Sequence, residues 1–172
     1  MTMRNPGCMI AALFSSAAIT LATPPEGWTT RHPQPTSKPL RDLVSANGLL
    51  VTVGDAGTIL TSSDGVVWTN QVSGTTDGLF ALCYGNGQFL ALDASGAMLR
   101  SSNAVNWVIE DPEMLTWATA IAFGNGRFVV VDYFGSIYTS DNGADWTERR
   151  SSDVDWLNTV TFGNGLFGLA AK

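Results

Sequence analysis

Short apolar segments alternate with glycine-rich turns along most of this chain. Between residues 115 and 149 the apolar segments are WATAIAF, RFVVVDY, SIYTS and DWTER, and turn residues such as Gly-Asn-Gly and Asp-Asn-Gly-Ala separate them. Segments of this length, rich in β-branched and aromatic residues and bounded by turn signals, are typical of β-strands. The pattern predicts an all-β protein in which four antiparallel strands follow one another within each unit.

The same pattern recurs every 39 residues. An Asn-Gly pair between two apolar runs is the strongest local signal for a β-hairpin, because both residues tolerate positive φ. A tryptophan at the start of the fourth segment repeats on the same step, at Trp68, Trp107 and Trp146, and Trp28 precedes Trp68 by 40 residues. A four-stranded unit of this length is typical of a β-propeller blade. The Asn-Gly pairs are Asn47-Gly48, Asn86-Gly87, Asn125-Gly126 and Asn164-Gly165.

The repeats occupy residues 40–172, with a linker at 23–39 that contains a lone outer strand at 28–31. We predict three full blades at 40–71, 78–111 and 115–150, and a partial blade at 155–170 that has strands one and two. Closed propellers have at least four blades. Three alternatives therefore stay open: a small, imperfectly closed ring, an open arc completed by self-association or another chain, and a truncated piece of a longer repeat protein.

The first 22 residues have the features of a signal peptide. Arg4 provides a short positive region, and an uncharged, mostly apolar run from Cys8 to Ala22 follows it. This run is too short for a comfortable membrane span, and Ala18 or Ala22 can end a cleavage site. We expect a secreted or periplasmic protein whose mature form has no membrane segment.

The composition narrows the classes of function. The chain is 14% charged with a formal net charge of −6, which disfavours nucleic-acid binding because such binding requires clustered cations. Cys83 is the one cysteine left after signal removal, and His32 is the only histidine. We therefore expect no metal site, no cofactor and no intramolecular disulfide bond.

The segment TSDNGADW resembles the Asp-box, or BNR repeat. Its matching residues are Thr139, Asp141, Gly143 and Trp146, whereas the corresponding segments of the first two repeats are degenerate. The whole unit is similar to the sialidase-like β-propeller superfamily, and in particular to photosystem II stability/assembly factor-like secreted bacterial repeat proteins. The resemblance implies that these four residues brace the turn between strands three and four, opposite the face that usually binds ligands.

Candidate ligand-binding residues lie in loops at the other end of the blades. These loops join strands two and three, or connect one blade to the next. Acidic and aromatic side chains in such loops suit binding of a carbohydrate or another protein. The candidates are Asp55, Asp93, Asp132, Tyr133, Trp117 and Trp156.

The sequence favours a non-catalytic, exported binding or scaffold module. A sialidase-like glycoside hydrolase is the enzymatic alternative, but it requires an arginine cluster to hold the substrate carboxylate, and the arginines share no blade position. A third alternative is a fragment of a longer repeat protein without independent function. We expect no catalytic residues.

Overall fold

The computed structural model describes residues 34–150 and 156–171 of the chain. The predicted signal peptide at 1–22 and the predicted outer strand at 28–31 lie outside these residues. Within them, fourteen strands and one short 3-10 helix, Glu113–Leu115, follow one another. The prediction of an all-β propeller fold built from four-stranded antiparallel blades is confirmed.

Three sheets of four strands and one sheet of two strands make up the fold. In each sheet the strands pair in chain order, so every blade is a simple antiparallel meander. The first blade contains β1 (Leu40–Ala46), β2 (Leu49–Gly54), β3 (Thr58–Ser62) and β4 (Thr69–Gln71); the second contains β5 (Leu79–Gly85), β6 (Gln88–Asp93), β7 (Met98–Ser101) and β8 (Val108–Glu110). The third contains β9 (Ala118–Gly124), β10 (Arg127–Asp132), β11 (Ser136–Ser140) and β12 (Thr147–Arg150); the last sheet contains β13 (Leu157–Gly163) and β14 (Leu166–Ala171).

The Asn-Gly pairs form the turns of the first hairpin in each sheet, as the sequence predicts. Both residues of each pair have positive φ, for example 49° at Asn125 and 74° at Gly126. These angles fit the two-residue turn that matches the right-handed twist of the flanking strands. Asn125 also joins neighbouring blades, since its side-chain amide donates to the carbonyl of Gly165. One residue pair thus reverses the chain and ties two sheets together.

The hydrophobic core lies between successive blades. β1 packs on β5, β5 on β9, and β9 on β13. The second strand of each complete blade is buried on both sides, as Phe128 and Val131 illustrate. Three clusters result, one for each junction between neighbouring sheets. Among the described strands, β13 and β14 form a sheet of two, so the structure is an arc without a closing blade.

Candidate functional site

Four exposed aromatic side chains lie together at one end of the third and fourth sheets. The rings of Tyr133 and Trp156 are stacked, with centroids 4.8 Å apart and planes 27° from parallel. Phe134 meets Tyr133 edge to face at 5.9 Å and Trp117 at 5.7 Å. Trp117 and Phe134 each keep 61% of their surface exposed. We call Trp117, Tyr133, Phe134 and Trp156 the aromatic surface.

The local fold fixes the position of these rings. Leu115, at the end of the 3-10 helix, is completely buried and anchors the segment that leads to Trp117. The backbone N–H of Tyr133 donates to the carbonyl of Trp117 at 3.0 Å, which holds the two loops side by side. Trp156 has a φ of 66°, a left-handed conformation that is unusual for a bulky side chain. Strain of this kind is often found where a side chain is held for function.

The aromatic surface departs from the repeat. Gly78 occupies in the second blade the position that Trp117 occupies in the third, and Ala94 and Ser95 correspond to Tyr133 and Phe134. The turn geometry is nevertheless shared, since the N–H of Ala94 donates to the carbonyl of Gly78 at 2.9 Å. Small residues therefore suffice for the fold at these positions, and the aromatic side chains serve another purpose.

Two of the predicted ligand-binding acids are structural instead. Asp132 is buried, and its Oδ1 accepts hydrogen bonds from the N–H groups of Phe134 and Ser136 at 2.9 and 2.7 Å. Asp93 is buried in the same way and accepts from the N–H groups of Ser95 and Ala97. Both carboxylates fix the turn between strands two and three, and neither faces solvent on the rim that the sequence suggested.

Asp55 lies at the same end of the first blade, and Arg41 neutralises it. The guanidinium donates from Nε to Oδ1 at 2.7 Å and from a terminal nitrogen to Oδ2 at 3.0 Å. This hydrogen-bonded pair holds the pKa of Asp55 below its ordinary value. Of the six predicted binding residues, the structure brings together Tyr133, Trp117 and Trp156. Phe134 joins them, and its signal was the replacement of Ser95 by an aromatic residue in the 39-residue register.

The predicted turn brace is shifted by one residue. The Oδ1 atom of Asn142 accepts from the N–H groups of Ala144 and Asp145, both at 2.9 Å, and Ser140 Oγ accepts from the N–H of Gly143 at 2.8 Å. Asp141 instead forms a salt bridge with Arg127 at 2.6 Å. The roles assigned to Thr139 and Asp141 by resemblance therefore belong to Ser140 and Asn142. The same pair recurs as Ser62 with Asp64 and as Ser101 with Asn103.

A cavity of about 500 Å³ lies along the first strands of all four sheets. Its polar side chains are engaged in joining the blades. Asp42 accepts hydrogen bonds from the N–H groups of Leu43 and Leu82, and burial raises the pKa of its carboxyl above the ordinary value. The hydroxyl of Thr119 bonds to the carbonyl of Leu157 at 2.6 Å. The cavity therefore shows no free polar group arranged for a ligand among its described lining residues.

Within the described part of the chain, no group of His, Cys, Asp and Glu side chains is arranged to hold a metal ion. Burial raises the pKa of the Cys83 thiol far above its ordinary value, so this sulfur stays protonated. A search of the described residues for a helix of sufficient length and apolar character to span a bilayer finds none. The aromatic surface is the feature of the described residues best suited to bind another molecule.

The comparison with solved structures defines the class of fold as a β-propeller. YCF48 from Cyanidioschyzon merolae matches 67% of this chain and 38% of its own, with 22% identity and a TM-score of 0.58. A structure of YCF48 bound to D1 peptide matches 80% of this chain and 50% of its own, with 17% identity and a TM-score of 0.65. Virginiamycin B lyase from Staphylococcus aureus matches 86% and 54%, with 15% identity and a TM-score of 0.74.

The chain thus spans between 38% and 54% of the length of these three proteins. At such identities the likeness shows the shared propeller fold. No protein-family model matches the sequence, and no curated protein matches it.

Proposed function

We propose that this chain is a non-catalytic binding module of propeller type that binds a peptide segment of another protein on its aromatic surface. The observation that carries this proposal is the contiguous exposure of Trp117, Tyr133, Phe134 and Trp156. Tyrosine and tryptophan give large contact areas at low entropic cost and are enriched in protein interfaces. A propeller that matches 80% of the chain is described as bound to a peptide, which supports the same class of ligand.

The chemistry of the described residues supports binding in preference to catalysis. Asp132 and Asp93 are committed to turns, and Asp55 is paired with Arg41. A sialidase-like reaction would require an acid, a nucleophile and an arginine cluster around one cavity. Tyr133 instead stacks on Trp156. We therefore propose that the protein is not an enzyme.

Selection from a random dodecapeptide library displayed on phage tests the proposal. Selected peptides should bind the purified full chain, and Trp117→Ala and Phe134→Ala should each weaken binding at least tenfold. Val108→Ala is the matched control, because Val108 is an exposed apolar residue on the outer strand of the second blade. Peptides that bind all four proteins equally would overturn the assignment of the site.

A panel of fluorogenic glycosides tests the enzymatic alternative. We expect no turnover above background. Turnover that is abolished by Tyr133→Phe would overturn the non-catalytic proposal, since this change removes one hydroxyl and keeps the ring.

We also propose export through the predicted signal peptide at residues 1–22. Mass spectrometry of the protein recovered outside the cytoplasm should show an N-terminus after Ala18 or Ala22. An intact N-terminus on protein retained with the cytosol would contradict this proposal.

A further inference from the structure

The first blade presents an apolar face that the following sheets bury. Leu40 and Leu43 are 45% and 37% exposed, whereas Leu79 and Leu82, at the same positions of the second blade, are buried. Leu79 and Leu82 pack against Val51 and the rest of the core cluster that joins the first two blades. We call Leu40 and Leu43 the leading face. It has the chemistry of a blade-to-blade contact whose partner blade is missing from the described residues.

The opposite end of the arc is an uncovered sheet of two strands. Ala170 of β14 is exposed at a position where Leu92 and Val131 are buried against the next blade. Gly168 corresponds in the same way to Leu90. Because Gly168 and Ala170 are small, this side of the sheet has room for large side chains such as those of the leading face.

The core between the third and fourth sheets also lacks a component that the other two cores contain. Trp107 packs against the cluster that joins the first two blades, and Trp146 packs against the next cluster. Each comes from the start of the fourth strand of the later blade. The described residues of the last cluster include no tryptophan, and Leu169 beside it remains 42% exposed.

The sequence contains an unassigned segment with the required pattern. Trp28-Thr29-Thr30-Arg31 matches Trp146-Thr147-Glu148-Arg149, and it precedes β1 by nearly the same length that separates Trp68 from β5. In a propeller, the fourth strand of one blade leads directly into the first strand of the next. A blade placed against the leading face would therefore lie next to this segment.

We propose that two copies of this chain associate head to tail, with the leading face of each copy packed on the β13–β14 sheet of the other. In this arrangement Trp28–Arg31 of each copy lies on the outer side of the other copy's two-stranded sheet and covers Leu169. The two junctions are identical and related by a two-fold axis, so the assembly closes. The chain spans about half of two matched propellers, and two copies therefore supply the length of one ring.

Sedimentation equilibrium of the full chain tests this proposal. The wild type should have twice the mass of one chain at micromolar concentration. Leu43→Arg on the leading face and Ala170→Arg on the receiving sheet should each give a monomer with unchanged circular dichroism. Val108→Arg, on the outer strand of the second blade, is the control and should leave the mass unchanged. Trp28→Ala should weaken association about tenfold.

Mixing the two charged variants provides the decisive measurement. An equimolar mixture of Leu43→Arg and Ala170→Arg retains one unmodified junction, so it should recover a two-chain species that neither variant forms alone. A monomeric wild type would overturn the proposal, as would dimers that survive both substitutions or a mixture that stays monomeric. Loss of folded signal in Leu43→Arg is resolved by Leu40→Arg, which must also give the monomer.

Discussion

The ring of Phe162 lies directly on the backbone of Gly124 in the neighbouring blade, so closely that a Cβ atom on Gly124 would overlap the ring. Phe123 covers Gly85 in the same way one junction earlier. The next glycine in this register, Gly163, has no heavy atom within 4 Å of the position of a Cβ. Equivalent glycines thus differ in whether an aromatic ring of the next sheet covers them.

This difference predicts opposite outcomes for two alanine substitutions. Gly124→Ala should destabilise the protein by about 1–3 kcal/mol, the usual range for overpacking a core. Gly163→Ala should change the free energy of unfolding by less than about 0.5 kcal/mol, as is typical of an uncrowded surface position. Urea denaturation of both variants measures the contrast. Equal destabilisation would contradict the packing of Phe162 on Gly124.

The turn brace predicts a pH effect at Asp64. Hydrogen bonds from the N–H groups of Val67 and Val66, and then from the hydroxyl of Ser62, lower the pKa of this carboxyl. A lowered folded-state pKa contributes stability above the unfolded-state pKa, and this contribution is lost as the pH falls through the folded-state pKa. Asp64→Asn should therefore lose less stability than wild type below about pH 4.

The repeat itself supplies the reason to expect a folded Asp64→Asn variant. Asn103 accepts the corresponding hydrogen bonds in the second blade. Thermal unfolding between pH 7 and pH 2 measures the two slopes. Parallel pH profiles for wild type and variant would show that Asp64 does not titrate between the folded and unfolded states.

Asp132 should be required for stability and for the aromatic surface. Asp132→Ala would leave the N–H groups of Phe134 and Ser136, and the hydroxyl of Tyr138, without their buried acceptor. We expect a loss of about 2–4 kcal/mol, since each buried unsatisfied group costs about 1–3 kcal/mol before relaxation. Asp132→Asn retains an acceptor and should lose less. A calorimetric midpoint for Asp132→Ala equal to that of wild type would contradict this role.

The tryptophans of the second and third blades should differ in their hydrogen-bond contribution. Trp107 Nε1 donates to the carbonyl of Ala104 at 3.0 Å, whereas the buried Nε1 of Trp146 has no hydrogen-bond partner. Trp107→Phe should therefore be less stable than Trp146→Phe by about 1 kcal/mol, the net value of one hydrogen bond. Guanidinium denaturation of both variants gives the comparison, and the reverse order would contradict it.

The fold could be predicted from the sequence because it depends on local signals repeated at one spacing. Asn125-Gly126 specifies a turn by its own conformational preference, and three further copies confirm the register. The candidate site could be predicted in part. Tyr133, Trp117 and Trp156 were identified from their loops, but Asp132 was assigned to the same rim because the sequence does not reveal that its carboxylate folds back onto the turn.

The turn brace shows the limit of resemblance to a motif. Asp141 and Asn142 are adjacent, and either can accept backbone hydrogen bonds in a turn. The choice depends on Arg127, which is fourteen residues away in the chain and pairs with Asp141. A contact of this kind is set by the pairing of β10 with β11, and local sequence contains no signal for it.

The pairing of each strand with its neighbour in the chain has a consequence for folding and for the history of such proteins. Every sheet closes through short loops, so its formation requires little ordering of distant segments and should be fast for an all-β protein. Each blade contacts the one before it and the one after it, as in other repeat proteins. Gain or loss of one 39-residue unit therefore preserves all other strand pairings, and blade number can change by duplication or deletion without redesign of the remaining core.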